Sequence, residues 1–173
     1  MSIRIHSLVM GILVLCTLLT SKLTADDALM FVLEPGWILA NRESGENERL
    51  MEFVPTGETM ENWSKLCTRH DIRRPPGIDV TPSDMAQIFR KLLAEKSEIK
   101  VWQILALDDQ PVTILWKARA HSADHDQFEM MRYIIGEATV YRIAFTINAS
   151  SLDRVQAKKW FSALQAAELM VSP

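Results

Sequence analysis

Residues 139 to 147 (TVYRIAFTI) place Tyr141, Ile143, Phe145 and Ile147 on one side of an alternating run. They follow a second apolar segment, Phe128 to Ile135, across Gly136-Glu137. Period-two spacing sends successive side chains to opposite faces, so the pair predicts an antiparallel hairpin. The chain supplies more strands to join it. Val101 to Leu107 (VWQILAL) is apolar on both sides, as expected of a strand covered on both faces. After a turn at Asp108-Asp109-Gln110-Pro111, Val112 to Ala120 returns with Ile114, Trp116 and Ala118 on one face. Upstream, Phe31 to Leu39 and Leu50 to Val54 read as two short strands flanking a polar tip, Asn41 to Glu48, with Gly45 in its middle.

Helical spacing occurs in three places. From Thr59, the apolar positions Met60, Trp63, Leu66 and Cys67 share a face until Arg73-Arg74-Pro75-Pro76-Gly77 breaks the pattern. Thr81 then offers a cap, Pro82 fits the first turn, and Asp84 stands three residues after the cap. Met85, Ile88, Phe89, Leu92 and Leu93 form the stripe of a helix over residues 82 to 96. A final helix is predicted from Leu152 to Met170, with Val155, Trp160, Phe161, Leu164 and Ala167 on its apolar face. The expected order is strand, strand, helix, helix, four strands, helix. This is an α+β domain with a mostly antiparallel six-stranded sheet and helices packed on its faces.

The first 25 residues read differently. Arg4 and His6 precede an unbroken apolar run, Leu8 to Leu19, followed by small and polar residues ending at Ala25. This is the layout of a signal peptide, with cleavage expected after Ala25; an uncleaved anchor is the alternative. The run is shorter than the roughly 20 residues a spanning helix needs, and no later stretch is long and apolar enough. Residues 26 to 173 would then form one exported domain, periplasmic or secreted, with no linker dividing it. Of the 19 basic and 22 acidic residues of the chain, Arg4 and Lys22 leave with the leader, so the net charge falls from -3 to -5. Such a balance argues against nucleic acid or an anionic lipid surface as partner. Cys16 leaves too, and Cys67 remains as one thiol without an internal disulfide partner.

Leu50 to Leu66 (LMEFVPTGETMENWSKL) combines an acidic-aromatic strand end, a Pro-x-Gly turn and an Asn-Trp-Ser segment. This resembles a signature of small exported bacterial proteins of unknown function with the α/β/α sandwich of the PsbP-like fold. The segment Arg132-Tyr133-Ile134-Ile135-Gly136 with Tyr141, and the Trp160 helix, are more weakly similar to the hairpin and terminal helix of that group. The chain departs from the pattern at Cys67-Thr68-Arg69-His70, where the resemblance implies Thr-x-Gln. Glu52, Phe53, Pro55, Gly57, Asn62 and Trp63 carry the signature, and their residue types suit a folding device: a strand end, a tight turn and an aromatic anchor.

Chemistry-bearing groups are scattered. His121, Asp124 and His125 lie close enough in sequence to suggest a zinc or other divalent site, but a solvated hairpin loop is the simpler reading. Cys67 and His70, three apart on the expected helix, suggest a thiol nucleophile with an adjacent base, whereas the apolar neighbours of Cys67 suggest an inert buried thiol. No G-x-S-x-G element, phosphate loop or cysteine-pair metal motif is present. No cofactor is implied. Trp102, Trp116 and Trp160 fall at core positions, leaving Trp37, after Pro35-Gly36, as the tryptophan placed to meet a partner. Arg69, Arg73 and Arg74 offer positive charge to an acidic partner, or simply a solvated loop face. The resemblance implies a non-enzymatic accessory protein of the bacterial envelope that binds a protein partner; a periplasmic hydrolase or a carrier of metal or small ligand is the alternative.

Overall fold

The computed structural model describes residues 28–107, 112–121, 126–148 and 152–170. The expected leader, the turn at Asp108 to Pro111, Asp124 and His125 lie outside them. The elements run β1 (Ala28–Met30), β2 (Trp37–Ser44), β3 (Glu48–Pro55), β4 (Lys65–Arg73), α1 (Pro82–Lys96), β5 (Ser97–Leu107), β6 (Val112–Ala120), β7 (Gln127–Ile135), β8 (Thr139–Asn148), α2 (Arg154–Gln165) and β9 (Glu168–Met170). Seven strands make one sheet in the order β2-β3-β4-β8-β7-β6-β5, and β1 pairs with β9 in a separate ribbon. Every pairing is antiparallel. Among the described residues no helix is long and apolar enough to cross a membrane.

The expected class holds, while strand number and order differ. The expected first helix is absent, and its C-terminal half is β4, which zips against β8 from Lys65↔Ile147 to Arg73↔Thr139. Leu66, Cys67, Thr68 and His70 are buried there, because β4 is an interior strand covered on both faces. Local spacing matched a helical stripe, but a strand with two buried faces satisfies the same apolar positions. Two shorter revisions follow the same logic. Of the expected first strand, Phe31 to Leu39, only its end is strand: β2 starts at Trp37 after Gly36, whose φ of +96° allows the turn there, and runs on through Ser44 into the expected polar tip, while β1 lies before the expected start. The expected last helix stops at Gln165, and Glu168–Met170 turns back as β9.

Where sequence signals were strongest, the elements match. Thr81 Oγ1 accepts from Asp84 N, and the Asp84 carboxylate accepts from Thr81 N, closing a capping box at the start of α1. Strands β7 and β8 form the expected hairpin, closed by Gly136 N donating to Thr139 O.

Alternation along β8 fixes the layers. Val140 and Ala144 pack with Phe89 and Leu93 of α1, whereas Tyr141, Ile143 and Phe145 pack with Trp160 and Leu164 of α2. The helices therefore lie on opposite faces of the sheet, giving three layers. Burial of each large apolar side chain in these two cores contributes roughly 1.5–3 kcal/mol. On the α2 side, Phe145 stacks on Trp160 with centroids 5.3 Å apart, and Leu29 of β1 joins the same core. A third, smaller cluster places Met60 and Trp63 over Val54 and Leu66.

Candidate functional site

On the α1 face, the register sets charged and polar side chains among apolar ones. Glu52 of β3 stands opposite Thr68 of β4, which stands opposite Ala144 of β8. One pleat further along, His70 faces Arg142. Glu129 of β7 faces Thr146 of β8 and Trp116 of β6. Glu52, Thr68, His70, Glu129, Arg142 and Thr146 are all buried.

Most of these groups are matched. Glu129 accepts from Arg142 Nη2 at 2.5 Å, from Trp116 Nε1 at 3.1 Å and from Thr146 Oγ1 at 2.9 Å. The Arg142 guanidinium also lies over the Phe89 ring, 4.9 Å from its centroid. Burial acts to lower the Arg142 pKa, but Glu129, Tyr133 and Glu52 reverse that and hold it above the ordinary value. Asn41 Nδ2 donates to Glu52 Oε2 at 2.7 Å, and His70 Nε2 lies 2.8 Å from Glu48 Oε2. Burial, aided by Arg142, pushes the His70 pKa down, against the opposing pull of Glu48 and Asp71. The imidazole is therefore neutral near pH 7 and donates Nε2–H to the carboxylate.

The opposite face is divided. Helix α2 packs on β7 and β8 and reaches β6 through Gln165 Nε2, which donates to Thr113 Oγ1 at 2.9 Å. Beyond it, β5 and β6 present a different surface. Lys100 sits at a bulge in β5, and Lys117 and Arg119 share one face of β6. All three converge on Asp126, at 2.8 Å for Lys100 Nζ, 3.0 Å for Lys117 Nζ and 2.8 Å for Arg119 Nε. The bonds from Lys100 and Lys117 lead in holding the Asp126 carboxyl far below the usual carboxylate range. Lys117 also lies over the Phe128 ring at 4.7 Å. Glu98 stands opposite Arg119, half-buried Val101 and exposed Gln103 complete the patch, and half-buried Leu115 beside them packs against the α2-side core. The expectation that Val101 to Leu107 is covered on both sides is thus corrected: β5 is the edge strand, and Ile104 and Leu105 are exposed on it.

The residues singled out from sequence are dispersed. Cys67 and His70, three apart on a strand, point to opposite faces, Cys67 into the α2 core and His70 toward Arg142. Burial raises the Cys67 thiol well above its ordinary pKa, so the pair is no nucleophile and base. His121 is exposed, while Asp126 at the end of the supposedly solvated loop is buried among cations. Among the described residues no group of three His, Cys, Asp or Glu side chains is arranged to hold a metal ion. Trp37 is half-buried, edge-on to Phe145 at 6.0 Å, and so belongs to the core rim.

The arginines separate too. Arg69 is on β4, where it donates to Asp71 and, through Nη1, to Leu29 O at 3.2 Å, tying β1 to the sheet. Arg74 Nη2 donates to Glu137 O at 2.5 Å, and Arg73 is exposed. In the signature segment, Gly57 has φ of +91° in the turn after β3, Asn62 Oδ1 accepts from Thr59 N at 2.8 Å, and Trp63 packs in the third cluster. Pro55 closes β3 opposite Trp37, while Phe53 packs on the α2 side and Glu52 on the α1 side.

Sequence reasoning missed Glu129 and Arg142, and it read Asp126 as a loop carboxylate rather than the centre of a cation cluster. A signal for each was present: Lys117 and Arg119 share a face at period two, and Glu129 and Arg142 interrupt strands that otherwise read as buried. No protein-family model and no curated protein matches the chain.

Proposed function

We propose that the chain is an exported, non-enzymatic accessory protein of the bacterial envelope that binds a partner protein through the exposed half of its sheet. The observation that carries this reading is the β5–β6 end of the sheet, where Val101 and, at a bulge of the edge strand, exposed Leu105 accompany Lys100, Lys117 and Arg119, while α2 packs on β7 and β8. Apolar contact area beside ordered cations suits a protein surface that is itself apolar and acidic. Lys100, Lys117 and Arg119 are held in place by Asp126, so little side-chain freedom is lost on binding.

A PsbP-like scaffold is part of the same proposal. Its support is an antiparallel sheet held between helices on opposite faces, together with the Leu50 to Leu66 signature. Export rests on the basic, apolar and small-residue layout of residues 1 to 25.

A photoreactive residue at Gln103, introduced in the full-length chain and irradiated in intact cells, tests the reading. A discrete adduct from position 103, absent from the same probe at exposed Val155 of α2, is expected. Equal labelling from both positions, or none from 103, overturns the proposed surface. N-terminal sequencing of the extracytoplasmic protein tests export separately, with Asp26 expected as its first residue.

A further inference from the structure

Three buried polar atoms on the α1 face of the sheet are left over after the pairing described above. Glu52 Oε1, Thr68 Oγ1 and Arg142 Nε make no hydrogen bond with any other group of the protein. Each charged side chain is anchored at another atom: Glu52 Oε2 by Asn41, and Arg142 Nη2 by Glu129. The three residues are neighbours on one face. Glu52 and Thr68 are cross-strand partners, and Arg142 is one pleat along β8 from Ala144, the partner of Thr68. Ala144 projects a single methyl on that face, between Thr68 and Met131.

We propose that Glu52, Thr68 and Arg142 form an interior binding site for one small neutral hydrogen-bonding molecule, a single water. The atoms present dictate that chemistry. Arg142 Nε–H requires an acceptor, Glu52 Oε1 requires a donor, and the Thr68 hydroxyl serves as either. A water supplies two donors and two acceptors and meets all three. A cation at this point would face the Arg142 guanidinium, and an anion would face the Glu52 carboxylate; neither charge suits both walls. The bridge also joins β3, β4 and β8 on this face, where direct hydrogen bonds are lacking between these atoms. The inference concerns the interior of the α1 face and does not depend on the partner surface of β5 and β6.

Crystals of the full-length chain test it, one set soaked in thallium(I) and one in bromide. The expected result is one solvent atom about 2.6–3.2 Å from Glu52 Oε1, Thr68 Oγ1 and Arg142 Nε, without anomalous signal from either ion. Thr68→Val, nearly isosteric, should reduce the occupancy of that atom while the Glu129–Arg142 pair persists. Oxygen-17 relaxation dispersion in solution should count one fewer long-lived water in the variant. A thallium or bromide peak at the site overturns the choice of a neutral ligand. Direct contact of Glu52 with Thr68 and no third atom overturns the site itself. Should Thr68→Val fail to fold, the density in the unaltered chain decides between these outcomes.

Discussion

Arg142 Nη2 meets Glu129 Oε1 at 2.5 Å with the two side chains 5% and 1% exposed, across the β7–β8 pair and beneath Phe89 of α1. Both charges are removed from bulk solvent, so each depends on the other. Removing one partner strands the second in a low-dielectric interior, which costs about 3–5 kcal/mol in comparable buried pairs. Arg142→Met is expected to lower the unfolding free energy by that amount. Urea unfolding followed by tryptophan fluorescence measures it; a loss under about 1 kcal/mol would show that Trp116 and Thr146 alone hold Glu129.

His70 gives the fold a pH dependence of known sign. Its pKa in the folded chain is lowered, chiefly by burial, below the ordinary value of about 6.5 that the unfolded chain retains. Between those two values the unfolded chain binds the proton and the folded chain does not, so stability falls as pH drops. The contribution is complete above the unfolded value, declines below it, and levels off under the folded value. His70→Asn should flatten the decline. Urea midpoints from pH 8 to pH 5 for both chains check this, and parallel curves would remove His70 as the cause.

Cys67 lies in the α2 core with its thiol pKa raised by burial. Thiolate is the reactive form, so the folded protein should resist an aromatic disulfide reagent at pH 8, and labelling should become rapid in denaturant. Prompt stoichiometric labelling of the native chain would contradict the placement of Cys67 between Phe145 and α2.

Legibility in the sequence followed local chemistry. Thr81, Pro82 and Asp84 announce α1 because capping is settled within one turn, and Tyr141 to Ile147 announce β8 because alternation is itself local. β4 was unreadable for the opposite reason. Leu66 and Cys67 are adjacent and both buried, one on each face of an interior strand, and only tertiary position distinguishes that from a helical stripe. The same holds for β5, whose two-sided apolar pattern suited an interior strand although the topology leaves it at the edge. Candidate-site residues suffered most. Lys100, Lys117, Arg119 and Asp126 come from three separate segments, and their convergence is set by register and a bulge that spacing does not encode.

Asp126 provides the last prediction. Three cations address its two oxygens, and the resulting carboxyl pKa lies far below the ordinary range. A folded pKa below the unfolded one means that the contribution is complete above about pH 4 and is lost only as pH falls through the folded value. At neutral pH the cluster is therefore insensitive to proton concentration, and its response is to the number of cations. Carbon-13 NMR of the side-chain carboxyl should show no titration of Asp126 between pH 7 and about pH 3 in the unaltered chain. Lys100→Ala with Lys117→Ala should move the titration upward into view, because Arg119 alone then faces the carboxylate. An unchanged midpoint in the double variant would mean that the lysines do not set the charge state of Asp126, and that β5 is not fastened to the end of β7 through them.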